Sequence, residues 1–331
     1  MIDYKKIMSQ EVQKLKPSGI RKFFDIAVSM ENVISLSIGE PDFSTPWEIR
    51  EAGITSLKER KTWYTSNKGL KSLCDKISLY TKDKTGLDYC SESEILVTVG
   101  GSEAIDLAIR TLVEAGDEVI IPQPSFVCYE PITRLAGGVP VFIQTKAEDG
   151  FKLTAKQLKE AITPKTKLLI LPFPNNPTGA IMEKQDLKEI AQVLKNTPIM
   201  ILSDEIYAEM TYGGKKHISI AQINNMKERT IIVSGFSKAF AMTGWRLGYA
   251  LAPKPILEQM LKIHQFAIMC SPTTSQYGAV KALENYNEYI SPMVEEFDLR
   301  RKLITDGFNK IGLTCFNPQG AFYVFPSIEK T

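Results

Sequence analysis

The chain has 331 residues, of which 44% are hydrophobic and 24% are charged, and its formal net charge is +2. This composition is typical of a folded globular protein, and the near-neutral charge gives no reason to expect a nucleic acid or an anionic membrane as a partner. No apolar run reaches the roughly 18 residues of a membrane span, and the first residues lack the apolar core of a secretory signal.

Five cysteines and two histidines are scattered along the sequence. The cysteines form no CxxC pair, so the pattern does not predict a zinc site. Reduced thiols are the ordinary state of cysteine in the cytosol, and we therefore expect a cytoplasmic protein.

Short apolar runs alternate with helical patterns from about residue 94 onward. The segments between the runs, such as SEAIDLAIRTLVEAG and EKQDLKEIAQVLKN, carry apolar residues at helical spacing. Buried strands that alternate with helices indicate an α/β fold, with a mainly parallel seven-stranded sheet covered by helices. The predicted strands are residues 94–100, 117–122, 139–145, 167–173, 199–205, 230–235 and 247–253.

The two ends of the chain are predicted to form a second, smaller α+β domain. Near the C-terminus the helical pattern VEEFDLRRKLITDGFNKIG precedes QGAFYVFP, which we predict to be a strand interrupted by glycine and proline. The expected division is an N-terminal arm with part of the small domain over residues 1–45, a large domain over 46–284, and the rest of the small domain over 285–331.

Polar sequences follow several of the predicted strands, at the edge where such sheets bind ligands. After the first strand, GGSEAI (100–105) opens a helix. Its glycines let the backbone approach a ligand closely, and a helix N-terminus offers free N–H groups to an anion. The stretch matches neither a Walker A loop nor GxGxxG. A serine N-cap on an ordinary helix is the alternative interpretation.

Two further strand ends carry an amide and a carboxylate. In FPNNPTGAI (173–181), Asn176 would project from the strand end, although a plain turn is the alternative. Asp204 ends a buried strand and Tyr207 follows three positions later. A carboxylate placed there needs a charged or hydrogen-bonding partner, unless it is a helix N-cap.

The stretch SGFSKAFAMTGWRLGY (234–249) places Lys238 and Arg246 in an apolar run. Such side chains are almost never fully buried without a partner, so the stretch is either an amphipathic surface element or the place of an anion and an electrophile. Together, the strand ends describe a ligand with a phosphate, an aromatic nitrogen and an aldehyde. Pyridoxal 5′-phosphate (PLP) has all three, and a lysine amine forms a Schiff base with its aldehyde.

These motifs resemble those of the fold-type I, class I/II aminotransferases. The stretch around Lys238 is similar to the family's lysine segment, NPTG to its asparagine turn, and DEIY to its aspartate–tyrosine pair. The resemblance covers nearly the whole chain. Four more stretches match: GEPDF (39–43), YTSNKGLKSL (64–73), PQPSFVCYEP (122–131) and PQGAFYVFP (318–326).

The resemblance implies a role for each residue around the cofactor ring. Lys238 would form the Schiff base and later move the proton. Asp204 would pair with the ring nitrogen, while Tyr207 and Asn176 would hydrogen-bond the phenolate oxygen. Phe126 matches the aromatic residue that stacks on the ring, and its alternative role is that of a core phenylalanine.

The resemblance also implies contacts to the phosphate. The family often has a serine three positions before the lysine, where this chain has Gly235, so the serine contact stays open. The residues implied at the phosphate are Gly101, Ser102, Glu103, Ser237 and Arg246.

Tyr64 matches a tyrosine that reaches the phosphate of the partner subunit, which implies a homodimer with shared active sites. Gly39 and Asn176 would approach the substrate carboxylate. The family's arginine for that carboxylate lies past QGAFYVFP, and the sequence ends before its position, so we expect the sequence to be an incomplete record of a longer chain. Arg21 and Arg301 do not match that arginine and are expected to make surface or structural salt bridges.

The implied activity is ping-pong transamination between an L-amino acid and a 2-oxo acid, with glutamate and 2-oxoglutarate as the usual pair. SGIRKFFDIA (18–27) and GFKLTAKQL (150–158) are similar to aspartate, aromatic and N-acetyl-diaminopimelate aminotransferases. A C–S β-lyase on the same fold is the alternative, since it would share every cofactor residue. A regulatory PLP-binding domain is disfavoured, because fewer than forty residues precede GEPDF and they contain no basic run.

Overall fold

The computed structural model describes residues 2–17, 19, 30 and 39–329. Seven strands form one sheet, and the bounds of each lie within two residues of the predicted range. The strands are β1 (Ile95–Thr98), β2 (Glu118–Gln123), β3 (Val139–Gln144), β4 (Thr166–Pro172), β5 (Met200–Asp204), β6 (Thr230–Gly235) and β7 (Gly248–Leu251).

The strand order is β1-β7-β6-β5-β4-β2-β3. Only β7 runs antiparallel to its neighbours, β1 and β6, while the pairs among β2 to β6 are parallel. The prediction of a mainly parallel sheet is therefore confirmed. Six strands end at the same edge, and the segment that joins β6 to β7 turns round there, carrying Lys238 and Arg246.

Helices cover the sheet where apolar residues recur at helical spacing. One example is the helix over residues 184–194, which buries Leu187, Ile190, Ala191 and Leu194 on one side. Among the described residues, no helix is long and apolar enough to cross a membrane. The α-helices bounded within the described part of the chain are α1 (Tyr4–Ile7), α2 (Gln10–Lys14), α3 (Trp47–Lys58), α4 (Lys71–Thr85), α5 (Gly100–Leu112), α6 (Tyr129–Leu135), α7 (Ala155–Ala161), α8 (Lys184–Leu194), α9 (Lys254–Ala267), α10 (Thr273–Ala282) and α11 (Tyr286–Lys310).

Both faces of the sheet are buried, as the continuous apolar strands predict. On β4, Leu168 and Ile170 belong to one hydrophobic cluster, and Leu169 and Leu171 belong to the cluster on the opposite face. This alternation follows from the two-residue period of a strand. Burying each such side chain stabilises the fold by about 1.5–3 kcal/mol, so the sheet is a rigid platform for its carboxyl edge.

The predicted strand over QGAFYVFP is wrong. Residues 313–329 make two isolated bridges, Thr211 with Gly320 and Cys315 with Pro326. The N–H of Ala321 donates to the Met210 carbonyl at 2.9 Å, and the N–H groups of Gln319 and Gly320 both donate to the Gly179 carbonyl at 2.9 Å. An irregular loop forms because these loop carbonyls, rather than a neighbouring strand, accept from the segment.

Close contacts between glycines bring the start of α5 against the backbone of β7, which lies beside β6. Gly235 and Gly248 are paired across the two strands. A Cβ on Gly248 would lie 2.6 Å from the backbone carbon of Gly100 and 2.6 Å from the nitrogen of Gly101. A side chain does not fit at Gly248, so this glycine sets how closely α5 approaches the sheet.

We expect Gly248→Ala to lower the free energy of unfolding by about 1–3 kcal/mol, because the added methyl group forces α5 to shift. Urea denaturation measures this loss. Gly244→Ala is the matched control, since a Cβ on Gly244 has no neighbour within 4 Å. Equal urea midpoints for the two variants would contradict the expectation.

Candidate active site

A cavity of about 710 Å³ opens at the carboxyl edge of the sheet. Ten of the twelve predicted site residues line it, while Glu103 and Tyr64 do not. The ten are Gly39, Gly101, Ser102, Phe126, Asn176, Asp204, Tyr207, Ser237, Lys238 and Arg246.

Lys238 follows β6 and brings its amine to the cavity. Its Nζ donates to the Gly39 carbonyl at 2.5 Å. Burial lowers the pKa of Lys238 to about 8; Glu40 and Asp204 raise this pKa, and Arg246 lowers it. A large fraction of the amine is therefore neutral near pH 8, as a nucleophile or a base requires.

If PLP binds to Lys238, as the resemblance implies, we expect its uptake by the protein to accelerate as the pH rises and to level off above about pH 8. Only the neutral amine has a lone pair for the aldehyde, and raising the pH through the lowered pKa of Lys238 produces it. Stopped-flow absorbance at several pH values measures the rate. Free Nα-acetyl-lysine is the control, because its rate should keep rising toward the ordinary lysine pKa of about 10.4. If the rate for the protein also kept rising toward that pKa, the expectation would be contradicted.

Asp204 ends β5 as a buried carboxylate that lines the cavity. Its Oδ2 accepts from the Tyr129 hydroxyl at 2.7 Å, and its Oδ1 accepts from the Ile206 N–H at 3.2 Å. Burial raises the pKa of Asp204, and the bond from Tyr129 opposes that shift. The alternative of a helix N-cap is wrong, because residues 206–209 form a turn. A buried carboxylate at this place favours a cationic or hydrogen-bonding partner.

Tyr207 and Asn176 converge on one point, where the hydroxyl of Tyr323 lies. The two tyrosine oxygens are 2.6 Å apart, and Asn176 Nδ2 donates to the Tyr323 oxygen at 3.3 Å. A Cβ on Gly39 would lie 2.1 Å from that oxygen, so a side chain at position 39 would force Tyr323 to move. Tyr323 also lines the cavity. Sequence reasoning assigned it no role, although it belongs to the matching stretch PQGAFYVFP.

Phe126 is half-buried and lines the cavity. Its ring meets Tyr129 edge to face, with centroids 5.9 Å apart. The residue also packs against the hydrophobic cluster beneath the sheet, so the two predicted roles, stacking and core packing, are compatible with one position.

The start of α5 and Arg246 form one corner of the cavity, called the anion-binding corner because its groups suit an anion. The N-cap position is Val99, without a side-chain cap, so the alternative of a serine N-cap is wrong and Ser102 lies in the first turn. The first N–H groups of a helix have no acceptor within the helix. The Arg246 guanidinium packs on Gly100, since a Cβ there would lie 2.6 Å from Nη2. Cation and free N–H groups together favour a phosphate.

Two predicted residues lie elsewhere. The carboxylate of Glu103 accepts from the Val99 N–H and lies 2.8 Å from His264 Nδ1, so only its backbone is left for an anion. Tyr64 is 75% exposed in the loop between α3 and α4.

The predictions for the two arginines have different outcomes. Arg301 pairs with Asp298 at 2.6 Å, which confirms the structural salt bridge predicted for it. Arg21 lies outside the described residues, as does SGIRKFFDIA apart from Gly19.

The fold and the site define an α/β protein with a buried lysine amine at the carboxyl edge of its sheet. The family model described as "Aminotransferase class I and II" matches residues 31–331, and the chain belongs to this family. The resemblance inferred from the motifs is thereby confirmed, and the chain is a transaminase.

The relatives carry the same class of activity in their names. The Bacillus subtilis (strain 168) protein YugH, named as an aminotransferase without a substrate, is 51% identical over 97% of this chain and 83% of its own length. An aspartate aminotransferase of Pyrococcus abyssi is 44% identical over 98% and 84%. The solved aspartate aminotransferase from Thermus thermophilus with maleate has a TM-score of 0.92 and 35% identity, over 96% and 84%. These relatives give no support to the C–S β-lyase alternative.

Proposed function

We propose that the chain is a PLP-dependent aminotransferase that exchanges an amino group between an L-amino acid and a 2-oxo acid, with glutamate and 2-oxoglutarate as one pair. One observation carries this proposal. The Lys238 amine, whose pKa burial lowers to about 8, shares a cavity with the buried Asp204 carboxylate and with the anion-binding corner at α5.

The residues present fit PLP at each of its functional groups. The free N–H groups of α5 and the Arg246 guanidinium suit the phosphate, with Ser102 and Ser237 beside them. Asp204 suits a protonated ring nitrogen, because a buried carboxylate is stabilised by a cation. The polar groups of Tyr207 and Asn176, which both contact the Tyr323 hydroxyl in this structure, suit the ring oxygen.

PLP, when bound, supplies an aldehyde that captures the amino group and a ring that accepts an electron pair. Asp204 would keep the proton on the ring nitrogen, so that the ring can accept this pair. Lys238 Nζ would take the proton from the substrate Cα and return it to the former aldehyde carbon within the same half-reaction, and the second half-reaction would reverse these transfers. Phe126 would pack against the ring.

The names of the relatives support a choice among substrates. They include aspartate and aromatic amino acids, and one solved relative holds maleate, a dicarboxylate. We propose that Gly39 and Asn176 receive the substrate α-carboxylate beside Lys238, since both line the cavity next to its amine. The cytoplasmic location is part of the proposal, because all five cysteines are free thiols.

The visible spectrum tests the function directly. Purified protein is reconstituted with PLP and scanned before and after L-glutamate, L-aspartate or L-phenylalanine. The expected result is the yellow absorbance band of a PLP–lysine adduct, which is lost with an accepted donor and returns with 2-oxoglutarate. Release of ammonia and pyruvate from cystathionine, without that cycle, would overturn the proposal in favour of a lyase.

We further propose a homodimer in which Tyr64 reaches the anion-binding corner of the partner subunit. Tyr64 lies in an exposed apolar patch with Trp63, Phe266 and Met269. Two hydrogen bonds connect the segments of this patch. The Asn67 amide donates to the Met269 carbonyl, and the Thr273 hydroxyl donates to the Trp63 carbonyl. An exposed patch of this kind is typical of a protein–protein interface.

Mixing two defective variants is expected to restore activity. A hybrid dimer of Lys238→Ala with Tyr64→Ala contains one site that has both native residues, so its transamination rate should exceed the summed rates of the separate variants. Native mass spectrometry verifies that the subunits have exchanged. Exchanged subunits with no gain in rate would contradict a shared site.

A further inference from the structure

A buried histidine–carboxylate pair lies directly behind the anion-binding corner. His264 on α9 is fully buried, and its Nδ1 lies 2.8 Å from Glu103 Oε1. A carboxylate accepts, so the imidazole proton lies on Nδ1. The other ring nitrogen, Nε2, has no hydrogen-bond partner among the described residues. Neither residue lines the cavity, and the proton transfers assigned to Lys238 do not use them.

Glu103 connects this histidine to the turn between β1 and α5. Its second oxygen, Oε2, accepts from the N–H of Val99. Val99 precedes Gly100, which has a φ of +76°. The Arg246 guanidinium lies against Gly100, in the space that a Cβ there would need. A continuous series of contacts therefore runs from His264 through Glu103 and the turn to Arg246.

The position of the Glu103 charge adds a second argument. A carboxylate in the first turn of a helix is favoured by the helix dipole, but it repels a phosphate bound at the same turn. Two donors, the Val99 N–H and His264 Nδ1–H, hold the Glu103 carboxylate outside the cavity. The pair thus shapes the corner and keeps a like charge away from it.

We propose that Glu103 and His264 are positioning residues for the phosphate of PLP, which they do not touch. They fix the Val99–Gly100 turn, and thereby the N–H groups of α5 and the surface on which Arg246 rests. This inference rests on the proposed function, because it requires PLP in the cavity.

The test compares PLP with pyridoxal, which has the same ring and aldehyde but no phosphate. Dissociation constants for both compounds are measured by spectral titration of the cofactor-free protein. In His264→Leu, the preference for PLP over pyridoxal should fall about tenfold or more, as for the loss of a hydrogen bond to a charged group. Pyridoxal affinity should stay within about twofold. His264→Asn, whose amide can donate to Glu103, should restore the preference.

A matched control exists on the other side of the sheet. His217 Nε2 lies 2.9 Å from the buried Glu205 Oε2, in a second histidine–carboxylate pair outside the cavity. His217→Leu should lower the thermal midpoint and leave the preference for PLP unchanged. Glu103→Ala is the second test variant. If only the negative charge of Glu103 mattered, removing this carboxylate would strengthen PLP binding, whereas the positioning role predicts weaker PLP binding.

The outcomes separate the two proposals. Equal losses of PLP and pyridoxal affinity in His264→Leu, an unchanged preference, or tighter PLP binding by Glu103→Ala would overturn the positioning role while wild-type PLP binding stands. A wild-type protein that binds neither compound would overturn the proposed function, and this inference with it. If His264→Leu does not fold, Glu103→Ala and His264→Asn still decide the matter.

Discussion

Lys238→Ala is expected to lower the rate of transamination by at least roughly 10³-fold, within the range for loss of a positioned acid or base. It is also expected to abolish covalent attachment of PLP to the chain. Alanine has no amine for the aldehyde and no group that can take the Cα proton. The amine is well placed for both tasks, because it enters the cavity from the loop after β6 and burial lowers its pKa to about 8.

Steady-state assays measure the rate, and borohydride reduction followed by peptide mass spectrometry locates the attached cofactor. Lys227→Ala is a suitable control, since Lys227 Nζ also donates to a backbone carbonyl at 2.5 Å but does not line the cavity. It should keep wild-type activity. Lys238→Ala with a wild-type rate, or with PLP still attached to the chain, would show that another residue does this chemistry.

Asp204→Asn is expected to lower the rate of Cα proton removal by roughly 10²–10³-fold, comparable with the loss of one preorganised charge-stabilising group. Asparagine keeps the shape of the side chain and can still accept from Tyr129. It has no negative charge to hold a proton on the ring nitrogen, so the ring becomes a poorer electron acceptor. Single-turnover spectra after addition of L-glutamate measure this step.

The neighbouring residue provides the control for Asp204. Glu205 is also a buried carboxylate, but it bonds to Ser203 and Ser219 rather than to the cavity. Glu205→Gln should cost stability and leave the rate of proton removal close to wild type. If Asp204→Asn kept the wild-type rate, the electrostatic role of Asp204 would be excluded.

The sheet and most of the cavity were predictable because their signals are local. A continuous apolar run such as KLLILPF specifies a strand buried on both faces, and strand ends of one sheet share an edge. Asp204 and Lys238, which belong to separate stretches of sequence, are therefore predicted to lie at the same edge. The resemblance to a family then gave roles to residues, such as Phe126, whose local pattern also fits an ordinary core.

The remaining features depend on contacts between distant parts of the chain. Tyr323 meets Asn176 across 147 positions, and Glu103 meets His264 across 161 positions. No periodicity or turn motif records such a contact. The composition of QGAFYVFP predicts a strand, whereas the N–H groups of residues 319–321 donate to loop carbonyls. Strand propensity is a weak guide where tertiary neighbours supply the hydrogen bonds.

The backbone contact among Gly235, Gly248 and the start of α5 limits which positions of this enzyme tolerate substitution. A random library over that side of the cavity would lose almost every variant with a side chain at these positions, because main chain meets main chain there. Elsewhere the cavity is lined by side chains, such as that of Tyr323, to which no cofactor contact is assigned. New substrate preferences, whether selected in the laboratory or acquired by descent, are expected to arise at such side chains while the cofactor corner stays the same.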